Sequence, residues 1–117
     1  MRTVFIGLVL AGVSMTALAK GENYNALVAK AKAEVSKDFK DPESANFRNL
    51  GVYKSKTGKG RVSVCGEVNA KNAFGAYVGY RPFVVSGELA ALAEPDGEGL
   101  YKTLAPSLCH ELVRSIK

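Results

Sequence analysis

Two cysteines, one histidine and scattered carboxylates are the residues of this chain that could do chemistry. Cys109, His110 and Glu111 are adjacent, but neighbours on a helix point in different directions, so adjacency does not bring the imidazole onto the sulfur. A thiol enzyme would instead need Cys65 and His110 to meet in space and the thiol to stay reduced. One histidine and two cysteines form no legible metal-ligand cluster, so no metal or other cofactor is expected. Glu67 is a candidate carboxylate for glycoside chemistry, which needs a second carboxylate that the sequence does not identify. Lys56-Thr57-Gly58 matches one fragment of the serine β-lactamase pattern without its Ser-x-x-Lys. Glu94, Asp96 and Glu98 alternate without completing the spacing of a calcium loop. No Walker or dinucleotide glycine loop is present. Catalytic residues are therefore assigned to none of these positions, and a Cys–His enzyme is the third choice of function.

The stretch from Val64 to Phe83 points to binding instead. Tyr77 stands between Gly75 and Gly79, which leave room on both sides of its ring, and Arg81 and Phe83 continue the same face of an extended chain. Asn69, Lys71 and Asn72 lie at the preceding bend. Tyrosine and arginine beside exposed amides have the make-up of a recognition surface, so the candidate binding residues are Asn69, Lys71, Asn72, Tyr77, Arg81 and Phe83. A second reading stands beside it: Tyr77 packs against the final helix and keeps only its hydroxyl in water.

The compartment decides between thiol chemistry and a cross-link. Arg2, the apolar run through residues 3–15 and the small-x-small Ala17-Leu18-Ala19 have the form of a cleavable signal peptide, residues 1–19. The apolar run is shorter than the ~20 residues that span a bilayer. Cleavage after Ala19 removes one basic residue, Arg2, and leaves 98 residues (20–117) for a single small domain with a formal charge of +4. No later segment reaches transmembrane length, and the expected location is periplasmic or secreted. In such an oxidising setting, Cys65 and Cys109 are expected to form a disulfide. The mild basic charge favours an anionic cell-envelope component or an acidic exported protein as partner. Nucleic acid is excluded as a target by the lack of a basic stripe interleaved with aromatics. The Lys- and Gly-rich run 54–61 reads as a solvated hairpin tip.

The elements that must position these residues follow from periodicity. Tyr24, Leu27, Val28, Ala31, Val35 and Phe39 recur every three or four residues and predict a helix over 23–40. Asp41-Pro42 ends it and can open a short new turn. Residues 47–53 are extended, and 61–71 alternate, with Val62, Val64, Val68 and Ala70 opposite Ser63, Cys65, Glu67 and Asn69. A third strand is predicted from residue 73 to 86, with Pro82 at an edge or bulge. Residues 89–93 fit a last strand or a turn of helix. Leu108, Cys109, Leu112, Val113 and Ile116 predict a C-terminal helix over 105–116. The fold class is α+β: an N-terminal helix, a three- to four-stranded antiparallel sheet, a C-terminal helix and one disulfide. One conflict remains open at this level. Cys65 lies on the polar face of its strand and Cys109 on the apolar stripe of the last helix, so either that helix covers the second sheet face or a bulge at Gly66 turns the side chain over.

Asp41-Pro42-Glu43-Ser44-Ala45-Asn46-Phe47, followed by the segment from Cys65 to Gly79, resembles a family of small exported bacterial and phage-associated proteins that carry DPxSAxF and CGxVNxKNxxGxYxG motifs. The resemblance spans residues 38–83 and implies an exported bacterial setting; it supplies no activity. Ala76 stands where a second glycine is usual before the tyrosine, which stiffens that turn. The expected function is a non-enzymatic exported binding module acting through the 69–83 surface. The alternative is an inhibitor or immunity protein directed at a cell-wall hydrolase or toxin.

Overall fold

The computed structural model describes residues 24–56 and 61–116; the expected signal peptide at 1–19 and residues 57–60 of the basic turn lie outside the described residues. In chain order the elements are α1 (Tyr24–Ser36), a 3-10 turn (Pro42–Ser44), β1 (Asn46–Lys54), β2 (Val62–Asn69), β3 (Arg81–Ser86), β4 (Leu89–Leu92), α2 (Leu100–Leu108) and β5 (Glu111–Ile116). The five strands form one antiparallel sheet in the order β4-β3-β2-β1-β5. The α+β class and the disulfide hold, with more strands than expected and with the second helix elsewhere.

α1 presents the predicted stripe. Val28, Ala31 and Val35 are buried against Leu50, Val52, Val64, Val68, Phe83 and Val85 of the sheet, and Phe47 packs at the margin. The helix stops at Ser36, four residues early, because the Ser36 hydroxyl donates to the Lys32 carbonyl (2.8 Å) and its own carbonyl takes the Phe39 N–H (3.0 Å). Phe39 still reaches the core from the turn that follows.

β1 carries a bulge between Arg48 and Gly51, with Asn49 at φ 56°. The extra residue inverts the alternation, so that odd-numbered Phe47 and even-numbered Leu50 and Val52 all face α1. Gly66 lies opposite. A Cβ there would stand 2.7 Å from Leu50 Cδ2 and 3.2 Å from the Leu50 Cα, so only glycine lets the two backbones approach this closely.

The predicted C-terminal helix is corrected to a shorter helix and an edge strand. α2 ends at Leu108, and residues 111–116 pair with β1, Leu50 opposite Ile116 and Lys54 opposite Glu111. Pro106 already deprives the helix of one backbone donor. Residues 89–92 resolve as a strand paired to β3. The expected edge or bulge at Pro82 is not found: Pro82 pairs with Glu67, its carbonyl accepts the Ala93 N–H (2.8 Å), and the Arg81 side chain donates to the Ala93 carbonyl in place of the missing proline N–H.

The Cys65–Cys109 conflict resolves in favour of a covered second face. Cys65, Val84 and Ala91 form a small cluster on the side of the sheet away from α1, packed by Tyr101, Leu104 and Leu108 of α2. The disulfide runs from the middle of β2 to the C-cap of that helix. Helices therefore lie on both faces of the sheet.

Candidate functional site

The residues between β2 and β3 do not continue as a strand. They form a projecting finger, residues 70–80, closed by a bridge between Lys71 and Tyr77. Its construction begins in the 3-10 turn, where Pro42 pre-sets helical φ and the Asp41 carbonyl accepts both the N–H (3.0 Å) and the hydroxyl (2.7 Å) of Ser44. The Ser44 hydroxyl oxygen then accepts the Lys71 N–H (2.8 Å), and the Ser44 carbonyl accepts the Tyr77 hydroxyl (3.0 Å). Ser44 is thus the point at which the 41–47 segment and the 65–79 segment meet.

Two asparagines set the rest of the finger. Asn69 Oδ1 accepts the Gly79 N–H (2.9 Å) at the base. At the tip, Asn72 Oδ1 accepts the N–H groups of Phe74 (2.9 Å) and Ala76 (3.2 Å), and the Asn72 N–H donates to the Ala76 carbonyl (2.9 Å). Gly75 takes φ 84°, a conformation that a side chain would strain. Ala76 is not among the positive-φ residues, so alanine fits where the resemblance has glycine. The asparagine side chain and the positive φ at Gly75 end the extended run that alternation predicts.

Most of the predicted binding residues take part in bonds that hold the finger or the strand ends beside it. Asn69, Asn72 and Tyr77 make the bonds just described. Lys71 lies with its ammonium 5.5 Å from the centre of the Tyr77 ring. Arg81 donates from Nε (2.8 Å) and Nη2 (2.6 Å) to the Ala93 carbonyl and clamps the exit of β4. Phe83 is corrected outright: it is 0% exposed and belongs to the core under α1. Tyr77, Arg81 and Phe83 do not share one face, because the strand begins only at Arg81. Tyr77 is not covered by α2; its hydroxyl goes to Ser44 and the residue remains 45% exposed.

Phe74 and Val78 are the exposed apolar residues that sequence reasoning missed. Phe74 is 94% exposed at the fingertip and Val78 58% exposed on its side. An aromatic ring between an Asx turn and a positive-φ glycine is the signal that could have found it.

Glu67 serves the bulge. Its Oε1 accepts from Arg48 Nε (2.7 Å) and Asn49 Nδ2 (2.9 Å), while the Arg48 guanidinium stacks 3.8 Å from the centre of the Tyr80 ring. The hydrogen bond from Arg48, then that from Asn49, holds the carboxyl below its ordinary value of 4.5. That direction is opposite to the raised pKa of a glycosidase general acid. Because the folded pKa is the lower one, the contribution to stability is complete above the ordinary carboxylate range and is lost as pH falls through the lowered value. Glu67→Gln is expected to cost about 0.2–1 kcal/mol at neutral pH, the range for half-exposed pairs. The gap from wild type should close on acidification, as followed by urea unfolding across pH.

Both thiols are joined, and no free cysteine exists among the described residues. No group of three potential metal ligands occurs among them either. No described helix is long and apolar enough to cross a membrane. No protein-family profile, curated protein or solved structure matches the chain, so the functional argument rests on the residues and their geometry.

Proposed function

We propose that this chain is a non-enzymatic binding module of an oxidising, extracytoplasmic compartment, and that it engages another exported protein through the 70–80 finger with Phe74 as the anchor. The observation that carries this reading is the 94% exposure of Phe74 on a loop whose N–H groups and Tyr77 hydroxyl donate to Ser44, Asn69 and Asn72. A pre-ordered loop loses little conformational freedom on binding, and a buried aromatic anchor supplies a large share of interface energy. The Cys65–Cys109 disulfide supports the compartment, since such bonds persist where thiols are not kept reduced.

A narrower form of the same reading is an inhibitor or immunity protein against a cell-wall hydrolase or toxin. The convex fingertip favours it, because a projecting aromatic fits a concave cleft better than a flat surface.

The test is retention of periplasmic proteins on immobilised wild type and on Phe74→Ser, with thermal unfolding as a control. A specific partner held by wild type should bind the variant about 30-fold more weakly, the loss typical of an aromatic hot spot. The melting temperature should stay unchanged. Identical retention by both proteins would sink the proposal.

A further inference from the structure

The base of the finger forms one side of an open cleft of about 110 Å³, bordered also by the turn after α1, β2, β3 and β4. Phe39, Val68, Ala70, Val78 and Leu92 contribute its apolar residues, and Lys40, Lys71 and Arg81 also line it. We propose that this cleft binds a small branched apolar group that carries a carboxylate.

Charge makes the first half of the case. Lys40, Lys71 and Arg81 are among the residues that line the cleft and no acidic residue is, although the Lys71 ammonium lies 5.5 Å from the centre of the Tyr77 ring. Arg81 is partly neutralised, with Glu94 Oε1 at 3.8 Å and two of its nitrogens bonded to the Ala93 carbonyl. Lys40 and Lys71 have no ion-pair partner among the described residues. Like charges gathered beside an apolar surface repel one another, and an anion seated between them relieves that repulsion. The neighbouring cleft, which shares Leu92, has the opposite character: Glu34, Asp38 and Glu88 line it with Lys37. An anionic ligand is thus attracted to one cleft and repelled by the other.

Size makes the second half. A cavity of roughly 150 Å³ accommodates benzene, and one water occupies roughly 30 Å³ of liquid. The observed volume, about 110 Å³, is somewhat below that of the benzene cavity and suits one isobutyl-sized group at a time. A free short-chain acid and the C-terminal leucine of a peptide present the same chemistry. Lys71, Asn72, Val78 and Gly79 of the finger also line the cleft but Phe74 does not, so Phe74→Ser tests the finger contact and an acid titration tests the cleft, each with its own readout.

The experiment is an amide NMR titration of the disulfide-bonded protein with 4-methylpentanoate and with a short peptide ending in a free leucine carboxylate. Each is paired with its neutral carboxamide. At least one acid should give saturable shifts at Lys71 and Gly79, and its amide should bind about 10-fold more weakly. Which acid binds identifies the source of the ligand. Lys40→Ala and Lys71→Ala, checked for unchanged melting, should each weaken binding about 3- to 10-fold. Absence of saturation by both acids, or equal binding of acids and amides, would overturn the proposal whether or not the lysine variants fold.

Discussion

Phe83→Ala is expected to lower the free energy of unfolding by about 3–5 kcal/mol, the range for deleting a fully buried aromatic ring. Phe83 is 0% exposed and lies beneath α1 with Val28, Ala31, Val35, Val52, Val64 and Val85 around it. Its ring meets Phe47 edge-on, with centroids 5.8 Å apart and planes at 82°, an arrangement that adds to simple burial. A side chain that opposes Gly66 on one strand and Leu92 on the other leaves a cavity that neither neighbour can fill. In a domain of this size each kcal/mol moves the melting temperature by about 4–8 °C, so the variant should melt well below wild type. Urea unfolding should show a lower midpoint with the same slope. Phe74→Ser is the companion measurement, because an exposed ring at a fingertip should change stability by no more than about 0.5 kcal/mol. Equal stability of the two variants would contradict the separation of buried ring from exposed ring.

Removing the disulfide through Cys65→Ala with Cys109→Ala should cost about 3–4 kcal/mol. The bond closes a 44-residue separation and limits the freedom of the unfolded chain by about that amount. The local consequence is as informative as the total. α2 has no fully buried residue of its own and meets the sheet through half-buried Tyr101, Leu104 and Leu108. Apart from the disulfide, the Lys56 N–H to Ser107 carbonyl bond (2.7 Å) is a further tie between this helix and the sheet region. Hydrogen exchange in the double variant should therefore rise most in α2, while amides of β2 and β3 beneath α1 keep their relative protection. Titration of the native wild-type protein should find no free thiol. A free thiol in that titration, or uniform loss of protection across both faces, would contradict this account.

The residue sequence determined the features that depend on a few neighbours. The three- and four-residue spacing of Val28, Ala31 and Val35 predicted α1, because a helix brings those positions to one side without help from the rest of the chain. The alternation of Val62, Val64 and Val68 against Ser63 and Cys65 predicted β2 and its faces. Asp41-Pro42 predicted the turn, since proline restricts its predecessor locally. A lone cysteine pair left only one intramolecular disulfide. Only the tertiary structure could decide between patterns that were locally equivalent. Leu112, Val113 and Ile116 fit a helical stripe as well as an edge strand, and pairing with β1, some sixty residues away in sequence, selected the strand. Phe74 and Tyr77 alternate as strand residues would, yet Asn72 captures the local N–H groups and Ser44, separated from Tyr77 by 33 positions, holds its hydroxyl. The bulge at Asn49 was invisible for the same reason, since it exists only because Gly66 on the partner strand admits the Leu50 backbone. Cys65 and Cys109 were legible as a pair, but which face of the sheet they join depends on where α2 packs. Local spacing fixes which groups can bond. Contacts between distant segments decide which of those groups are buried, which are bonded and which, like Phe74, are left exposed.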